Sequence, residues 1–377
     1  MHHTHVSRSM LRSALALFIL AVGIAELPAQ QKAPVQQSKT PIRYKAIWEP
    51  VNYSKDVELT DVFFVNADTG WVAGHKPSSV TGGFILRTTD GGANWRVAVG
   101  DPEGNERPFG DFRFVDATHG FAVQPTGSGD HTLLTTSDGQ SWEATGTVPQ
   151  HRGDYAFVSP TDGVASHSAD ILRTSDGGRS WQKTFTCAVK VEVNGLSRDA
   201  HCQVETFHFP SARVGYGLGY ATGGVHGVFV VKTEDAGQTW TAWQVLPAES
   251  GKESHVYFTD ENTGVACLIG GHLVRTRDGG KSWQGIAGAT CQGKPAIQFA
   301  GSVGWFAKSR DLGYTTDGGS RWTSRSVTFP AMINAFSLPR PDRGYVVGDH
   351  GMVYRYRVVP EKEPTPKALA APVMRTP

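Results

Sequence analysis

The sequence predicts an all-β protein, a seven-bladed β-propeller of four-stranded antiparallel blades, and three observations support this prediction. Glycine accounts for 44 of the 377 residues and tryptophan for 10, while charged residues make up only 19%. Helical bundles and coiled coils are much richer in Ala, Glu and Lys. A Thr-x-Asp-x-Gly-x-x-Trp motif recurs along the chain, and a longer strand-like unit recurs seven times. Repeats of this size are typical of propeller blades, which bury their apolar faces against one another.

The charge balance excludes one class of function. The chain has 36 Lys and Arg residues against 35 Asp and Glu residues, so its net charge is +1. A nearly neutral chain has no overall positive field that would attract nucleic acid or an anionic membrane. We therefore expect no nucleic-acid partner.

The first 29 residues have the pattern of a secretory signal peptide. Arg8 and Arg12 provide the positive segment, and an apolar stretch follows from Ala14 to Ala25. This stretch is too short to span a bilayer as a helix. We expect signal cleavage and a secreted or periplasmic protein with no transmembrane segment, with an uncleaved membrane anchor as the alternative.

Three further segments follow the signal. Residues 30–43 are interpreted as a linker and residues 44–359 as the propeller. Residues 360–377 contain five prolines and no apolar periodicity. Such a composition is typical of a disordered extension.

The Asp-containing motif is interpreted as the turn between two strands of a hairpin. The Asp side chain accepts hydrogen bonds from backbone N–H groups ahead of it, and Gly supplies a left-handed backbone conformation. The Trp begins the next strand and is buried between neighbouring sheets. These residues therefore hold the fold together and are not candidates for catalysis. The Asp and Trp pairs are Asp90 and Trp95, Asp138 and Trp142, Asp176 and Trp181, Asp235 and Trp240, Asp278 and Trp283, and Asp317 and Trp322, of which the copy at Asp138 is one residue shorter.

A second recurrent unit precedes most of these turns. It consists of an alternating apolar strand, a polar turn, and then Gly followed by an aromatic or small apolar strand. Together with the Asp-turn hairpin it makes four strands, the size of one blade. The seven copies span residues 61–71, 111–121, 154–164, 205–216, 255–265, 296–305 and 334–345.

The two ends of the propeller are predicted to share one blade. The seventh unit has no Asp-turn after its strand Met352–Val358. Tyr44–Val51 can supply the missing fourth strand, and Trp48 then takes the place of the motif Trp. Such a closure leaves no open sheet edge between the first and last blades. An open β-solenoid of six units is the alternative.

The four cysteines are predicted to form two disulfides. An even number of cysteines in an exported chain favours disulfide bonds. Pairing of nearest neighbours, Cys187 with Cys202 and Cys267 with Cys291, closes short loops. A zinc site is the alternative, but no Cys-x-x-Cys spacing occurs in the sequence.

The first cysteine pair lies in an insertion. Trp181 and Trp240 are the most widely separated neighbours in the Trp series, and Cys187 and Cys202 lie between them. We interpret Thr186–Gln203 as a disulfide-closed hairpin or loop that projects from one face of the propeller. Insertions on a rigid scaffold commonly carry binding function, although neutral insertions accumulate at such places too.

The motifs resemble a known set of repeats. The strands Ile85–Thr88, Ile171–Thr174 and Leu273–Thr276 each lead into an Asp-Gly-Gly turn followed by Trp. This combination resembles the Asp-box repeats, also called bacterial neuraminidase repeats. They occur in sialidases, xyloglucan-active endoglucanases, sortilin-type receptors and photosystem II assembly and stability factors. The resemblance covers roughly residues 44–358 and specifies a fold more than a function.

Within this set, the chain is most similar to the photosystem II assembly and stability factor-like propellers. The similarity lies in the number of blades and in the recurrent Phe-x-Asp/Asn-x-x-x-Gly-Trp/Tyr-x-x-Gly unit. It implies a non-enzymatic scaffold without a cofactor, which holds a protein partner during assembly or stabilisation of an envelope or membrane complex. We expect such a scaffold to be a monomer.

A glycan-active hydrolase and a non-catalytic carbohydrate-binding propeller are the alternative functions. A sialidase needs three Arg side chains on the substrate carboxylate besides its acid and nucleophile. The Arg-Ile-Pro signature of that family is absent, and Ile42-Arg43-Tyr44 and Arg107-Pro108-Phe109 are the nearest strings. Endoglucanases with these repeats generally carry two propellers, whereas this chain carries one. The sequence therefore favours a protein without enzymatic activity, and we predict no catalytic residue.

The loops between the second and third strands carry a set of candidate binding residues. In the predicted propeller these loops lie on the face opposite the Asp-turns, together with the blade-joining loops at residues 100–110 and 149–153. A rim of this kind can contact a protein, an anionic partner or a metal, but no pair of residues has a fixed ligand spacing, so no metal is predicted. The candidates are His75, His131, His167, His226, His272 and His350, with Lys308 and Arg310 in the remaining unit and Arg107, His151 and Arg152 in the blade-joining loops.

Overall fold

The computed structural model describes residues 43–361, except for 52, 54, 78–80, 128, 150–153, 194–195, 223–226, 247–254, 269–270 and 292–296. The regular structure of this part of the chain consists of 29 β-strands in seven antiparallel sheets. No helix long and apolar enough to cross a bilayer occurs in it. The predicted signal peptide, nearly all of the linker and nearly all of the Pro-rich tail lie outside the described residues.

Each sheet is one blade, and consecutive strands pair in order within it. The first strand, β1 (Tyr44–Pro50), belongs to blade 7. Blade 1 contains β2 (Glu58–Phe64), β3 (Gly70–His75), β4 (Phe84–Thr88) and β5 (Arg96–Gly100), and blade 2 contains β6 (Gly110–Phe114), β7 (Gly120–Gln124), β8 (His131–Thr136) and β9 (Glu143–Val148). Blade 3 contains β10 (Tyr155–Phe157), β11 (Gly163–His167), β12 (Asp170–Thr174) and β13 (Gln182–Thr186), and blade 4 contains β14 (Ala188–Val193), β15 (Leu196–His208), β16 (Gly215–Thr222), β17 (Val228–Thr233) and β18 (Thr241–Leu246). Blade 5 contains β19 (His255–Phe258), β20 (Gly264–Leu268), β21 (His272–Thr276) and β22 (Gln284–Thr290), blade 6 contains β23 (Ile297–Ala300), β24 (Val303–Lys308), β25 (Asp311–Thr315) and β26 (Thr323–Thr328), and blade 7 contains β27 (Ile333–Arg340), β28 (Arg343–Gly348) and β29 (Met352–Pro360). The predicted seven-bladed propeller is confirmed.

The first strand closes the ring of blades. β1 pairs antiparallel with β29, with Tyr44 opposite Pro360 and Pro50 opposite Tyr354. Trp48 packs against Phe329, with ring centroids 5.0 Å apart in an edge-on arrangement. The predicted sharing of one blade by the two ends of the propeller is therefore confirmed, and the outer edge of β29 is covered as a closed propeller requires.

Blade 4 differs from the prediction because it has a fifth strand. β14 and β15 form a hairpin whose last pair is Val193 with Leu196, so the insertion extends the sheet of blade 4 rather than standing apart as a loop. Val191 and Ala200 of this hairpin are buried in the same apolar cluster as Trp240. The insertion is thus ordered by burial of one of its faces.

Both disulfides join the predicted cysteines. Cys187 is bonded to Cys202 and Cys267 to Cys291. The first bond ties the start of β14 to β15, and the backbone N–H of Cys202 also donates to the carbonyl of Cys187 (3.1 Å). The second bond joins β20 to the segment after β22. Each disulfide closes a loop of its blade, which restricts the unfolded chain more than the folded one.

The Asp-turns are held together by their own side chains. Thr174 Oγ1 donates to Asp176 Oδ1 (2.8 Å) and accepts from the backbone N–H of Gly178 (2.9 Å). The hydroxyl and the backbone N–H of Ser180 donate to the same carboxylate (2.6 and 2.9 Å), and these bonds lower the pKa of Asp176 to about 2. Gly178 has a φ of 85°, a conformation that other residues rarely adopt. The carboxylate of Asp176 thus accepts hydrogen bonds from two residues of its own turn.

Candidate functional site

A cavity on the axis of the propeller, called the channel below, lies between the innermost strands. The innermost strand of every blade packs against the innermost strand of the next, because these strands stand side by side around one axis. They enclose a cavity of about 900 Å³ whose lining includes residues from all seven blades. The seven innermost strands are β2, β6, β10, β15, β19, β23 and β27. A cavity of this volume lies within the usual size range of small-molecule binding sites.

Polar side chains in this channel connect each blade to the next. Asp154 Oδ2 accepts from the backbone N–H of Phe207 (2.9 Å), and Ser337 Oγ accepts from the backbone N–H of Phe64 (2.9 Å). Similar bonds join Asp61 to Phe112, Tyr155 to Asp111, His208 to Phe258, Tyr257 to Phe299 and Gln298 to Leu338. Neighbouring innermost strands belong to different sheets, so these side chains satisfy backbone groups that a common ladder would otherwise pair.

The charged residues of the channel come from blades 1 to 3. Arg113 Nη2 lies 3.6 Å from Asp154 Oδ1, and Asp61 and Asp111 line the same cavity. Burial raises the pKa of Asp61 to about 7, although the charge of Arg113 opposes this rise. Burial also raises the pKa of Asp154, again against the effect of Arg113. Three carboxyl groups thus act on one guanidinium, and burial favours the neutral form of Asp61 and of Asp154.

The raised pKa of Asp61 leads to a prediction about stability and pH. The folded protein holds the proton more tightly than the unfolded chain, so ionisation of Asp61 costs stability as the pH rises from about 4 through about 7. Asp61→Asn, which stays neutral, should raise the melting temperature at pH 8 and leave it nearly unchanged at pH 4. Asp68→Asn, at an exposed turn of the same blade, is the control. A melting temperature of Asp61→Asn that follows the unaltered protein at both pH values would contradict the assigned environment.

His208 is a second channel residue that the sequence did not single out. Its Nδ1 accepts from the backbone N–H of Phe258 (3.1 Å), so the proton of the neutral ring lies on Nε2. Burial lowers the pKa of His208 to about 4. Its ring packs against that of Tyr257, with centroids 4.1 Å apart. His208 is therefore a neutral link between blades 4 and 5 at physiological pH.

The predicted rim residues lie near the loops that join second and third strands. The contacts of two of them, His75 and His350, are as follows. His75 donates from Nδ1 to the carbonyl of Lys76 (2.8 Å), and His350 Nδ1 lies 3.0 Å from Asp56 Oδ1. The described candidates are His75, His131, His167, His272, Lys308, Arg310, His350 and Arg107, while His226, His151 and Arg152 lie outside the described residues. Of the described candidates, His75 lines the channel. The described residues contain no group of three His, Cys, Asp or Glu residues that could hold a metal.

The loop that carries Arg107 is anchored to the same face as the rim. The backbone N–H of Gly83 donates to the carbonyl of Glu106 (3.0 Å), and the N–H of Asp101 donates to the carbonyl of Gly83 (3.2 Å). Lys76 Nζ donates to the carbonyl of Glu103 (2.9 Å). The blade-joining loop and the loop between β3 and β4 therefore form one continuous surface. Arg107 is exposed on it.

The channel residues were missed because their sequence positions were interpreted as the starts of strands. Asp61 lies within β2, Asp111 lies within β6, and Asp154 directly precedes β10. Their acidic character was a signal in the sequence. An acidic residue beside an alternating apolar strand faces either solvent or a polar interior. Only the curvature of the ring shows that these three positions meet at the axis.

Comparison of the sequence with known proteins finds relatives of one kind. The profile of the family described as "Photosynthesis system II assembly factor YCF48" matches residues 40–201. The chain is 25% identical to "Photosystem II assembly lipoprotein Ycf48" of Prochlorococcus marinus (strain MIT 9313) over 280 residues, which are 66% of this chain and 80% of that protein.

Solved structures show the same fold. The structure "YCF48 bound to D1 peptide" matches with a TM-score of 0.57 and 19% identity, and the match covers 82% of this chain and 96% of that one. YCF48 from Cyanidioschyzon merolae has the same TM-score and identity, with 82% and 98% covered. The GH74 xyloglucanase from Xanthomonas campestris has a TM-score of 0.55 at 16% identity, and the match covers 82% of this chain but 53% of the enzyme. With the profile and the Prochlorococcus relative, these matches confirm the resemblance drawn from the motifs, and the chain is a β-propeller similar to the photosystem II assembly factor YCF48.

Proposed function

We propose that this protein is an exported, non-enzymatic scaffold that binds a protein partner during assembly or stabilisation of an envelope or membrane complex. One observation carries this proposal. A propeller of the same fold, matched over 82% of this chain, is described as bound to a D1 peptide. The partner of the present protein is proposed to be a protein or peptide of its own organism.

Two features of the chain support export and a monomeric state. Its two disulfides are of a kind that persists in oxidising compartments such as the periplasm or the exterior of the cell. The pairing of β1 with β29 closes the ring of blades, so the protein needs no second copy to cover that edge.

The β14–β15 hairpin is the proposed contact surface. Its inner face is buried through Val191 and Ala200, and a disulfide fixes its base. Lys190 and Asp199 are paired directly opposite one another on its outer face, with Lys190 Nζ 3.3 Å from Asp199 Oδ1. Arg198 is also exposed, but it is paired with Val191 and so lies on the other face, nearer the tip of the hairpin. A rigid hairpin with charged, exposed side chains can bind a partner without first being ordered.

The test is affinity capture from the cell envelope of the source organism. Wild type is compared with Lys190→Glu/Arg198→Glu, which reverses two exposed positive charges of the hairpin and keeps the buried Val191 and Ala200. Lys281→Glu/Arg321→Glu makes the same change of charge at exposed Asp-turns and serves as the matched control. We expect one envelope protein to be recovered with wild type and the control, and to be reduced at least about tenfold with the hairpin variant.

Other outcomes point to the alternative functions. Equal recovery with both variants would contradict the hairpin as the contact. Failure to recover any specific protein, with turnover of a fluorogenic glycoside, would replace the scaffold with a glycan-active hydrolase. Binding to a glycan array without turnover would favour a carbohydrate-binding propeller.

A further inference from the structure

One position on the third strand of each blade is usually occupied by a long, basic side chain. It stands opposite the residue that follows the Gly at the start of the second strand. The residues at this position are Arg87 in blade 1, Thr135 in blade 2, Arg173 in blade 3, Lys232 in blade 4, Arg275 in blade 5, Tyr314 in blade 6 and Arg355 in blade 7. Blades 2 and 6 are the exceptions to the basic series, and of their residues Tyr314 is long whereas Thr135 is short.

Three of the arginines bridge their own blade to the Asp-turn of the next. Arg173 Nε donates to the carbonyl of Ala236 (3.2 Å), and Arg355 Nη1 donates to the carbonyl of Gly91 (3.2 Å). Ala236 and Gly91 both directly follow the Asp of their turns. Arg275 Nη1 donates to Ser320 Oγ in the next blade (2.5 Å). A guanidinium at the junction between two blades is therefore a repeated feature of this propeller.

Thr135 cannot make this bridge, and a cleft lies between blades 2 and 3. Its volume is about 470 Å³, and Phe121 and Thr135 of blade 2 line it together with Pro160 and Gly177 of blade 3. Gly177 directly follows Asp176. It thus holds the same turn position as the two residues whose carbonyls accept an arginine in other blades. The cleft therefore contains the turn position whose carbonyl accepts from an arginine in other blades, but it has no arginine at the donor position.

The charges and polar groups of the cleft suit a cation. Glu143 stands directly opposite Thr135 in the sheet and lines the cleft. The backbone N–H groups of Ser141 and Gln140 lower the pKa of Asp138, another lining residue, to about 2, so it is ionised. The equivalents of Glu143 in the other blades with an Asp-turn are Arg96, Gln182, Thr241, Gln284 and Thr323, none of them acidic.

Two basic residues also line the cleft, and both have partners of their own. Arg179 Nη1 donates to the carbonyl of Asp176 (2.9 Å), and His119 Nδ1 lies 2.8 Å from Asp116 Oδ2. Thr145 Oγ1, by contrast, is buried in the cleft wall and has no hydrogen-bond partner among the described residues. A buried hydroxyl in this state is costly unless a ligand satisfies it.

We infer that this cleft binds the guanidinium group of an arginine side chain presented by a partner protein. The guanidinium replaces in trans the third-strand arginine that blade 2 lacks. It can donate to the carbonyl of Gly177 and to the carboxylate of Glu143, while Phe121 and Pro160 contact its planar face and methylene stem. The inference deepens the proposed function. It rests on that function in one respect, namely that the arginine belongs to a partner protein.

The test uses N-acetyl-L-argininamide as the probe and N-acetyl-L-citrullinamide as its neutral isostere. Both are titrated by ligand-observed NMR into wild type, Thr135→Arg and Thr135→Ser. We expect wild type to bind the arginine compound at least about tenfold more tightly than the citrulline compound. Thr135→Arg, which fills the cleft from within, should lose this binding by at least about tenfold, and Thr135→Ser should keep it.

Equal binding of the two compounds by wild type would overturn the inference, and so would undiminished binding by Thr135→Arg. If Thr135→Arg does not fold, Glu143→Gln takes its place and should weaken arginine binding by about tenfold. The probe experiment needs no partner protein. Its failure therefore leaves envelope capture unaffected, and a failure to capture a partner leaves the probe result standing.

Discussion

A chain that begins at Val51 is expected to lose cooperative unfolding, whereas a chain that begins at Arg43 should melt like the whole protein. The two chains differ by the residues that include β1. Without β1, the whole length of β29 becomes an open sheet edge, and Trp48 no longer covers Phe329 and Trp305. The decrease in the free energy of unfolding is expected to be comparable with the whole stability of a native protein, roughly 5–15 kcal/mol.

Differential scanning calorimetry on the two chains tests this expectation. A synthetic peptide spanning Tyr44–Pro50, added to the shorter chain, should restore a cooperative transition because it can pair with the exposed edge of β29. Identical melting of the two chains would show that closure of blade 7 contributes little. The chain that begins at Arg43 separates the effect of β1 from that of the residues before it.

The second large effect is expected at Trp305. This side chain is fully buried, with ring centroids 5.0 Å from Tyr356 and 5.9 Å from Phe336. Trp305→Ala removes the largest buried side chain of the apolar cluster that also contains Phe336 and Tyr356, and it leaves a cavity. It should therefore lower the free energy of unfolding by about 3–5 kcal/mol. Urea denaturation monitored by far-UV circular dichroism measures the change.

Two further variants show whether the loss at Trp305 comes from packing. The indole Nε1 has no hydrogen-bond partner among the described residues, so Trp305→Phe should keep a large part of the stability. Val97→Ala truncates a side chain that is 54% exposed and should have almost no effect. A loss below about 1 kcal/mol for Trp305→Ala would contradict its place at the centre of the cluster.

The repetition of the fold was predictable because its signals are local. The Thr, Asp and Gly of each Asp-turn bond to one another within a few residues, so the motif is visible in the sequence wherever the turn is formed. Closure by β1 was predictable for a related reason. Trp48 matches the spacing of the motif tryptophans, and the seventh unit lacked a fourth strand.

The disulfides were predictable as well, because cysteines near in sequence can be joined with little rearrangement of the chain. The course of the insertion was not. Alternation of Val189, Val191 and Ala200 with polar residues allows a strand but does not say which sheet it extends. Packing against Trp240 places the hairpin in blade 4.

Contacts between residues of different blades could not be predicted from the sequence. Asp61, Arg113 and Asp154 are separated by about a blade each and share one channel because the ring brings successive innermost strands to a common axis. The cleft beside Thr135 depends on the same geometry. The strand pairing identifies Thr135 as a short residue at a position that is usually basic, and a second blade must pack against the first before the gap becomes a site. Local hydrogen bonds and spacing therefore encode the blades, turns and closure, while burial and charge at the axis and between blades arise from the tertiary packing of distant segments.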